Sequence, residues 1–131
     1  MDTYFDLGRN SFPVTTQSNE AQTWFDRGIL WTYGYNHEEA ITCFERAINA
    51  DPKCAMAHWG AGYAAGPNYN MPWDLFDYAG RAAAARAGYS HARKALDLID
   101  GVTGWEAALI HALQARHPQP DPLDPKAMKA W

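Results

Sequence analysis

The strongest periodic pattern in the chain lies between residues 37 and 50, where apolar positions recur at three- and four-residue steps. That spacing places them on one side of an α-helix and leaves the polar positions on the other. The pattern therefore predicts an amphipathic helix that begins near His37. Its apolar positions are Ala40, Ile41, Phe44, Ala47 and Ile48, and its polar positions are Glu38, Glu39, Thr42, Glu45, Arg46 and Asn49.

A second helix is predicted on the N-terminal side of this one. Ser18 or Asn19 can accept hydrogen bonds from the free amides of a first helical turn, so we expect a helix from there to about Tyr33. Gly34 then suits the left-handed residue that commonly ends a helix. A tight turn is expected at this point, because the next helix begins only a few residues later.

Capping signals also delimit the helix of residues 37–50 and predict a third one. Asn36 followed by Glu39 has the spacing of a capping box, with Asn in place of the usual Ser or Thr. Asp51-Pro52 ends one helix and begins another, since Pro is tolerated at the first helical position, where no hydrogen bond is lost. We expect the third helix to run over about residues 53–65.

The segment 66–72 interrupts the helical pattern. Pro67 and Pro72 restrict the backbone and forbid a continuous helix here. The sequence therefore predicts a structured loop of unusual composition, which carries two amides and an aromatic ring at its tip. Those three residues are Asn68, Tyr69 and Asn70.

From Trp73 to about Asp100 the composition is helical and rich in alanine, but the apolar residues do not hold one phase. The positions before and after Gly88 point in directions about 200° apart, so we expect the helix to break or to change partners there. Thr103 and Glu106 form a capping box that opens a further helix. It is predicted over residues 104–116, with a buried stripe of Ala108, Leu109, Ala112 and Leu113.

The two ends of the chain differ from its middle. Residues 1–17 are predicted to be an irregular arm, residues 18–117 a helical domain, and residues 118–131 a proline-rich linker followed by a helix cut short. Asp124-Pro125 repeats the signal that starts a helix at Asp51-Pro52. We expect the chain to be part of a longer array of helices. An uncovered terminal pair would then expose apolar surface, so homo-oligomer formation through the terminal helices is also expected.

One stretch resembles a known repeat. Seven residues between positions 21 and 54 match the tetratricopeptide repeat, a helical pair of about 34 residues in which small and large side chains alternate so that helices approach closely. Arg27 departs from it, because that position normally carries Leu. The runs WFDRG, YGYNHEEA, CFERA, DPKCAMAHWG and AGPNYN are similar to longer fungal and bacterial proteins of this family. The seven matches are Trp24, Gly28, Trp31, Ala40, Phe44, Ala47 and Pro52.

The resemblance implies an all-α fold, an α-solenoid fragment of antiparallel helical hairpins with about five to six helices. It also implies a concave groove lined by the first helix of each pair, apolar and aromatic here. We expect it to bind a polypeptide, as a peptide or helix, unless its rings only pack within the fold. The predicted groove residues are Gln22, Phe25, Ile29, Tyr33, Met56, Trp59 and Tyr63, with Asn68, Tyr69 and Asn70 of the loop beside them.

Charge and composition exclude several other partners. The net charge of −4 and the interspersed basic residues offer no basic stripe for nucleic acid. No apolar run approaches the roughly 20 residues needed to cross a bilayer, and the N-terminus has no signal-peptide pattern, so a cytoplasmic protein without membrane contact is expected. Cys43 and Cys54 have no CxxC spacing and predict buried, reduced thiols.

Catalysis is the alternative function that the residues leave open. His37 and His58 with Asn68, Tyr69 and Asn70 could meet at one end of the groove, where amides would orient a substrate and an imidazole would move a proton. The chain would then be the helical portion of an enzyme or a small-molecule-binding protein. No nucleophile or carboxylate is fixed by motif spacing. Neither a metal nor another cofactor is expected, because His37, Glu38, Cys43, Cys54 and His58 lack the spacing of metal ligands.

Overall fold

Helices make up all the regular structure of residues 3–131, the part of the chain that a computed structural model describes. The all-α prediction is confirmed, and so is the number of helices. The first two residues of the predicted arm lie outside the described range. The helices are α1 (Asn19–Tyr33), α2 (His37–Ala50), α3 (Ala55–Ala64), α4 (Tyr78–Asp97), α5 (Gly104–Arg116) and α6 (Pro125–Met128), with short 3₁₀ turns at Trp73–Leu75 and Ile99–Gly101.

The turn between α1 and α2 is made differently from the expected way. Gly34 has φ −80°, so it is not the left-handed residue, and that conformation falls on Tyr35 with φ 63°. A left-handed conformation is unusual for a bulky residue and costs free energy, which the surrounding structure must offset. Asn36 does cap α2, because its Oδ1 accepts from the Glu39 amide at 3.2 Å. The connection thus stays short enough to set α1 antiparallel to α2.

Close packing around Phe44 joins the first three helices. A Cβ added to Gly28 would lie 2.5 Å from the Phe44 ring, and one added to Gly60 would overlap the same ring from the other side. The ring is therefore clamped between the backbones of α1 and α3, with Phe25 in contact at a centroid distance of 5.6 Å. Ala40 beside it is fully buried. Two glycines and an alanine permit this approach because they carry almost no side chain.

The helices form a sequential stack. Each of the first five helices packs on the next one in the chain, with a smaller contact between α4 and α5, and α3 also touches α1 and α5. The odd-numbered helices α1, α3 and α5 thus lie next to one another on one side. This arrangement positions the cleft described below.

Two predicted boundaries in the middle of the chain are wrong. The third helix begins at Ala55, not near residue 53, because Pro52 and Lys53 form a turn in which the Cys54 amide donates to the Asp51 carbonyl. The long helix begins at Tyr78, where the Asp77 carboxylate accepts from the Gly80 amide at 2.6 Å. A cap four residues beyond Trp73 thus overrides the helical composition of the preceding segment.

The helix α4 does not break at Gly88. Its buried residues Ala85, Gly88, Ala92 and Ala95 follow one another at three- and four-residue steps, so the stripe keeps a single phase. Its partners do change along the length. Ala84 and Ala85 pack with Trp73 and Met128, whereas Ala95 belongs to the main core.

The predicted stripe on α5 is also wrong in part. Ala108 and Ala112 are exposed, and the buried positions are Glu106, Ile110 and Leu113. A carboxylate occupies a core position because it is fully hydrogen-bonded there, which a hydrophobicity pattern does not detect. The capping box of Thr103 and Glu106 is present as predicted.

Both ends of the described chain lie against the helices. Tyr4 of the arm accepts a hydrogen bond from Trp31 Nε1 at 2.7 Å and donates to Glu39 Oε1 at 2.6 Å. At the other end, α6 buries Met128, and the Trp131 ring meets Trp73 edge to face at 6.2 Å. Residues 118–131 therefore cover apolar surface of the turn after the loop and of α4.

Two histidines that the fold largely shields from water, His117 and His91, contribute a dependence of stability on pH. Burial lowers the pKa of His117 to about 4, and the nearby Arg116 charge adds to the effect. The His117 ring fills the space beside Gly88, where a side chain would collide with it. Burial likewise lowers the pKa of His91 to about 4, with smaller effects from His58 and Lys94.

We expect stability to fall as the pH falls from about 6.5 to about 4. Above that window both histidines are neutral in either state. Within this pH window only the unfolded chain takes up protons. Each histidine therefore lowers the free energy of unfolding by up to about 2 kcal/mol between pH 7 and pH 5. Urea unfolding at these two pH values measures the loss, and a His91→Gln variant should lose about half as much. An unchanged free energy of unfolding would contradict the burial of both rings.

Candidate functional site

A cleft of about 450 Å³ opens on the side of the molecule where α1, α3 and α5 lie together. The end of the arm, the α1–α2 turn and the loop 66–72 complete its walls. Most of the lining is aromatic or aliphatic. The lining residues are Phe12, Ile29, Thr32, Tyr33, Tyr35, His37, Phe44, Trp59, Tyr63, Asn68, Tyr69 and Leu109.

Six of the ten groove residues predicted from the sequence line this cleft. They are Ile29, Tyr33, Trp59, Tyr63, Asn68 and Tyr69. Their arrangement follows from helical spacing, because Ile29 and Tyr33 are one turn apart on α1 and Trp59 and Tyr63 are one turn apart on α3. The sequence therefore identifies half of the residues that line the cleft.

The remaining groove predictions are placed elsewhere. Phe25 and Met56 have no exposed surface and belong to the core beneath the cleft. Both sit one turn earlier on their helices, where the adjoining helices cover them. Gln22 is held by the arm, since its side-chain amide donates to the Phe12 carbonyl at 2.9 Å. Asn70 lies on the neighbouring surface and donates to the Tyr35 carbonyl at 3.3 Å.

Partly exposed tyrosines surround the cleft. Tyr33 is 78% exposed, Tyr69 is 91% exposed, and Tyr35 and Tyr63 are exposed to a lesser degree. The rings of Tyr35 and Tyr69 approach each other at a centroid distance of 6.1 Å. Tyr35 adopts the left-handed backbone conformation at this position, with its ring facing the loop. Local backbone strain of this kind often occurs at functional sites.

Trp59 and Tyr63 form the floor of the cleft, and direct contacts hold both rings in place. Trp59 and Tyr63 are stacked at a centroid distance of 5.2 Å, and Trp59 Nε1 donates to the Leu109 carbonyl at 3.1 Å, which ties α3 to α5. The guanidinium of Arg116 lies 4.5 Å from the centre of the Tyr63 ring. These contacts hold two aromatic faces in fixed positions before any ligand arrives.

The loop 66–72 forms one wall. Asn68 and Met71 exchange backbone hydrogen bonds at 3.0 Å, and Asn68 Nδ2 donates to the Ala64 carbonyl at 3.0 Å, which anchors the loop to α3. Neither Asn68 nor Asn70 caps the turn at Trp73, because Pro72 occupies the cap position and provides no side-chain hydrogen bond. The anchoring leaves the Tyr69 ring at the tip.

The cleft carries almost no charge. None of its lining residues is Asp, Glu, Lys or Arg, and its one titratable imidazole is His37. Burial lowers the pKa of His37, and the charge of Arg116 adds to this. His37, Phe12 and Tyr35 were not among the groove residues predicted from the sequence. The spacing of residues along a helix does not predict them, because Phe12 belongs to the arm, Tyr35 to the turn between α1 and α2, and His37 to the start of α2.

The residues of the catalytic alternative do not all meet. His37, Asn68 and Tyr69 line the cleft, but His58 is only 5% exposed and lies elsewhere, with Nε2 3.0 Å from the Pro52 carbonyl. His91 of α4 covers the His58 ring at a centroid distance of 6.0 Å. Of the two histidines, only His37 therefore lines the cleft with Asn68 and Tyr69.

Cys43 and Cys54 are free thiols with no exposed surface. Burial raises the pKa of each thiol, which keeps both protonated and unreactive near neutral pH. Within residues 3–131 no three His, Cys, Asp or Glu side chains are grouped closely enough to hold a metal ion.

Two further observations concern membrane segments and known proteins. Over the described part of the chain, no helix combines the length and the apolar character that crossing a membrane requires. Comparison of the sequence and the structure with protein-family models, with curated proteins and with solved structures found no match.

Proposed function

We propose that the chain is a helical repeat of the tetratricopeptide kind and that it binds a segment of another polypeptide in the cleft between α1, α3 and α5. The clamped Phe44 ring supports the repeat, because Gly28 and Ala40 stand at the small positions that the repeat requires. The cleft supports the binding, since the first helix of each successive pair lines it.

The observation that carries the proposal is the exposure of the tyrosines around a preformed aromatic floor. Rings that served only the core would be covered, yet Tyr33 and Tyr69 are 78% and 91% exposed. Tyrosine is favoured at protein interfaces, because it offers a large contact area and a polar tip while losing little conformational entropy.

The chemistry of the lining defines the partner. An uncharged, mostly apolar cleft suits a peptide whose aliphatic or aromatic side chains enter it, and it gives little to a strongly charged ligand. The net charge of −4 works against nucleic acid. The rim hydroxyls and the Asn68 amide can pair with the peptide backbone. The alternative, a small-molecule site near the loop 66–72, is supported only by the position of His37 beside Asn68.

Peptide binding is tested with Tyr33→Ala. A peptide selected from a random library on the unmodified protein is the probe, and its affinity is measured by calorimetry. We expect Tyr33→Ala to weaken binding by about tenfold or more, because an exposed ring at the cleft makes contact with ligand and not with the core. Tyr33 is preferred to Tyr63, whose ring also supports Arg116 and Trp59.

The matched control is Tyr78→Ala. Tyr78 is 72% exposed at the start of α4 and does not line the cleft, so the same change there should leave the affinity within about twofold. Equal losses in the two variants would show that the peptide does not bind in the cleft and would defeat the proposal. Self-association through the terminal helices and a cytoplasmic location remain predictions.

A further inference from the structure

A second, smaller cleft of about 320 Å³ lies behind the loop 66–72, between the end of α5 and the C-terminal segment. Its walls are apolar. The rings of Trp73 and Trp131 stand at 82° to each other, and two prolines and Met128 close the remaining sides. A flat apolar group fits between surfaces of this kind.

The polar groups of this cleft are cationic. Arg116 and Lys129 are its charged lining side chains, and no Asp or Glu side chain lines it. Lys129 is already partly neutralised, because its Nζ lies 2.6 Å from Asp74 Oδ2 at the exposed rim. Arg116 is different, since no carboxylate of residues 3–131 lies within ion-pair distance of it.

The guanidinium of Arg116 is partly buried without a counter-charge. It donates to the Pro67 carbonyl and stacks on the Tyr63 ring, which leaves further donors of its fork unused. Burial lowers the pKa of Arg116, an effect that Tyr63 partly offsets. Buried charges in proteins are usually paired, so an anion that reaches this cleft would recover interaction energy that the protein alone does not have.

From this geometry we propose that the cleft is a binding site for a carboxylate attached to a flat apolar group. The guanidinium fork holds the carboxylate, and the two indoles and the prolines hold the apolar part. The single uncompensated cation and the apolar walls fit a singly charged group better than a phosphate dianion. Either a free arylalkyl acid or a peptide that ends in an aromatic residue supplies this chemistry.

The indole N–H signals of the six tryptophans, assigned with Trp→Phe variants, provide the readout by NMR. We expect 3-phenylpropionate to move the signals of Trp73 and Trp131, and 3-phenylpropionamide, which has the same shape without the charge, to move them at least tenfold more weakly. A short peptide ending in phenylalanine is compared with its C-terminal amide. Binding of the free peptide identifies a chain terminus as the ligand, and binding of the small acid alone identifies a free acid.

Variants connect the binding to the charges. Arg116→Gln should remove the difference between the acid and its amide. Lys129→Gln is a second variant, which changes a side chain at the exposed rim of the cleft and leaves the partly buried Arg116 in place. It should weaken binding of the acid and leave binding of the amide unchanged. Lys126→Gln makes the same change three residues earlier, on α6, without lining the cleft, so it should leave the binding of both compounds unchanged.

The proposal is overturned if the acid and the amide move the two indole signals equally, if inorganic phosphate moves them as strongly as the acid, or if Arg116→Gln and Lys129→Gln both leave the affinity for the acid unchanged. Tyr33→Ala separates this site from the aromatic cleft. It should weaken binding of the selected peptide and leave binding of 3-phenylpropionate intact.

Discussion

Replacing Phe44 by alanine is expected to destabilise the protein by about 3–5 kcal/mol. The ring is 1% exposed and lies between Gly28 and Gly60, so its removal leaves a cavity that two glycine backbones cannot fill with side chains. Chemical unfolding followed by circular dichroism measures the change. Because this ring joins α1, α2 and α3, the loss should appear as one cooperative transition at lower denaturant concentration.

Phe5→Ala provides the control for the same chemical change. Phe5 is 66% exposed, so its loss should cost less than about 1 kcal/mol. A double-mutant cycle then tests the clamp itself. Gly28→Ala should destabilise the protein in the presence of Phe44 and much less when Phe44 is already Leu, since the added methyl group collides with the ring. Additive effects would show that Gly28 and Phe44 are not in contact.

Replacing Glu106 by alanine is expected to lower the free energy of unfolding by about 3–5 kcal/mol, as much as the loss of Phe44. Its side chain is fully buried and accepts four hydrogen bonds, from the amide and hydroxyl of Thr15 and from those of Thr103, at distances of 2.6–3.1 Å. Burial alone would raise the pKa of Glu106, but these four bonds outweigh it and lower the pKa. The variant leaves four donors without an acceptor.

The stability of Glu106→Ala is compared with that of Glu45→Ala, an exposed glutamate on α2 whose loss should change the free energy of unfolding by about 0.5 kcal/mol or less. Proteolysis gives a second readout. Thr15 belongs to the arm, so loss of Glu106 should release the arm and expose it to cleavage before the helices unfold. An arm that remains resistant in Glu106→Ala would show that Glu106 is not what fastens it.

The arm also bears on the binding proposal. Phe12 lines the aromatic cleft, and the backbone on either side of it is held by the side chains of α1, with the Phe12 amide donating to Asp26 at 2.8 Å and the Val14 amide donating to Gln22 at 2.9 Å. The cleft is thus partly built by a segment that is irregular by sequence. A change in the arm is expected to alter the shape of the cleft as well as the stability of the fold.

Local chemistry determined the helices and most of their contacts. Apolar spacing and caps place α1 and α2 within a residue of their observed bounds, and the small residues Gly28 and Ala40 mark the close approach around Phe44. Ile29, Tyr33, Trp59 and Tyr63 line the cleft as helical register predicts. These features depend on residues one or two turns apart, and their positions are therefore readable from the chain itself.

Tertiary structure decided what depends on distant residues. Glu106 reads as a helix cap, yet its burial comes from Thr15, 91 positions earlier in the chain. Phe25 and Met56 share the spacing of groove residues and are nonetheless covered by neighbouring helices. The second cleft brings Arg116, Trp73 and Trp131 together from three separate segments. No local pattern records such meetings, because they are set by how the helices stack and where the two ends of the chain fold back.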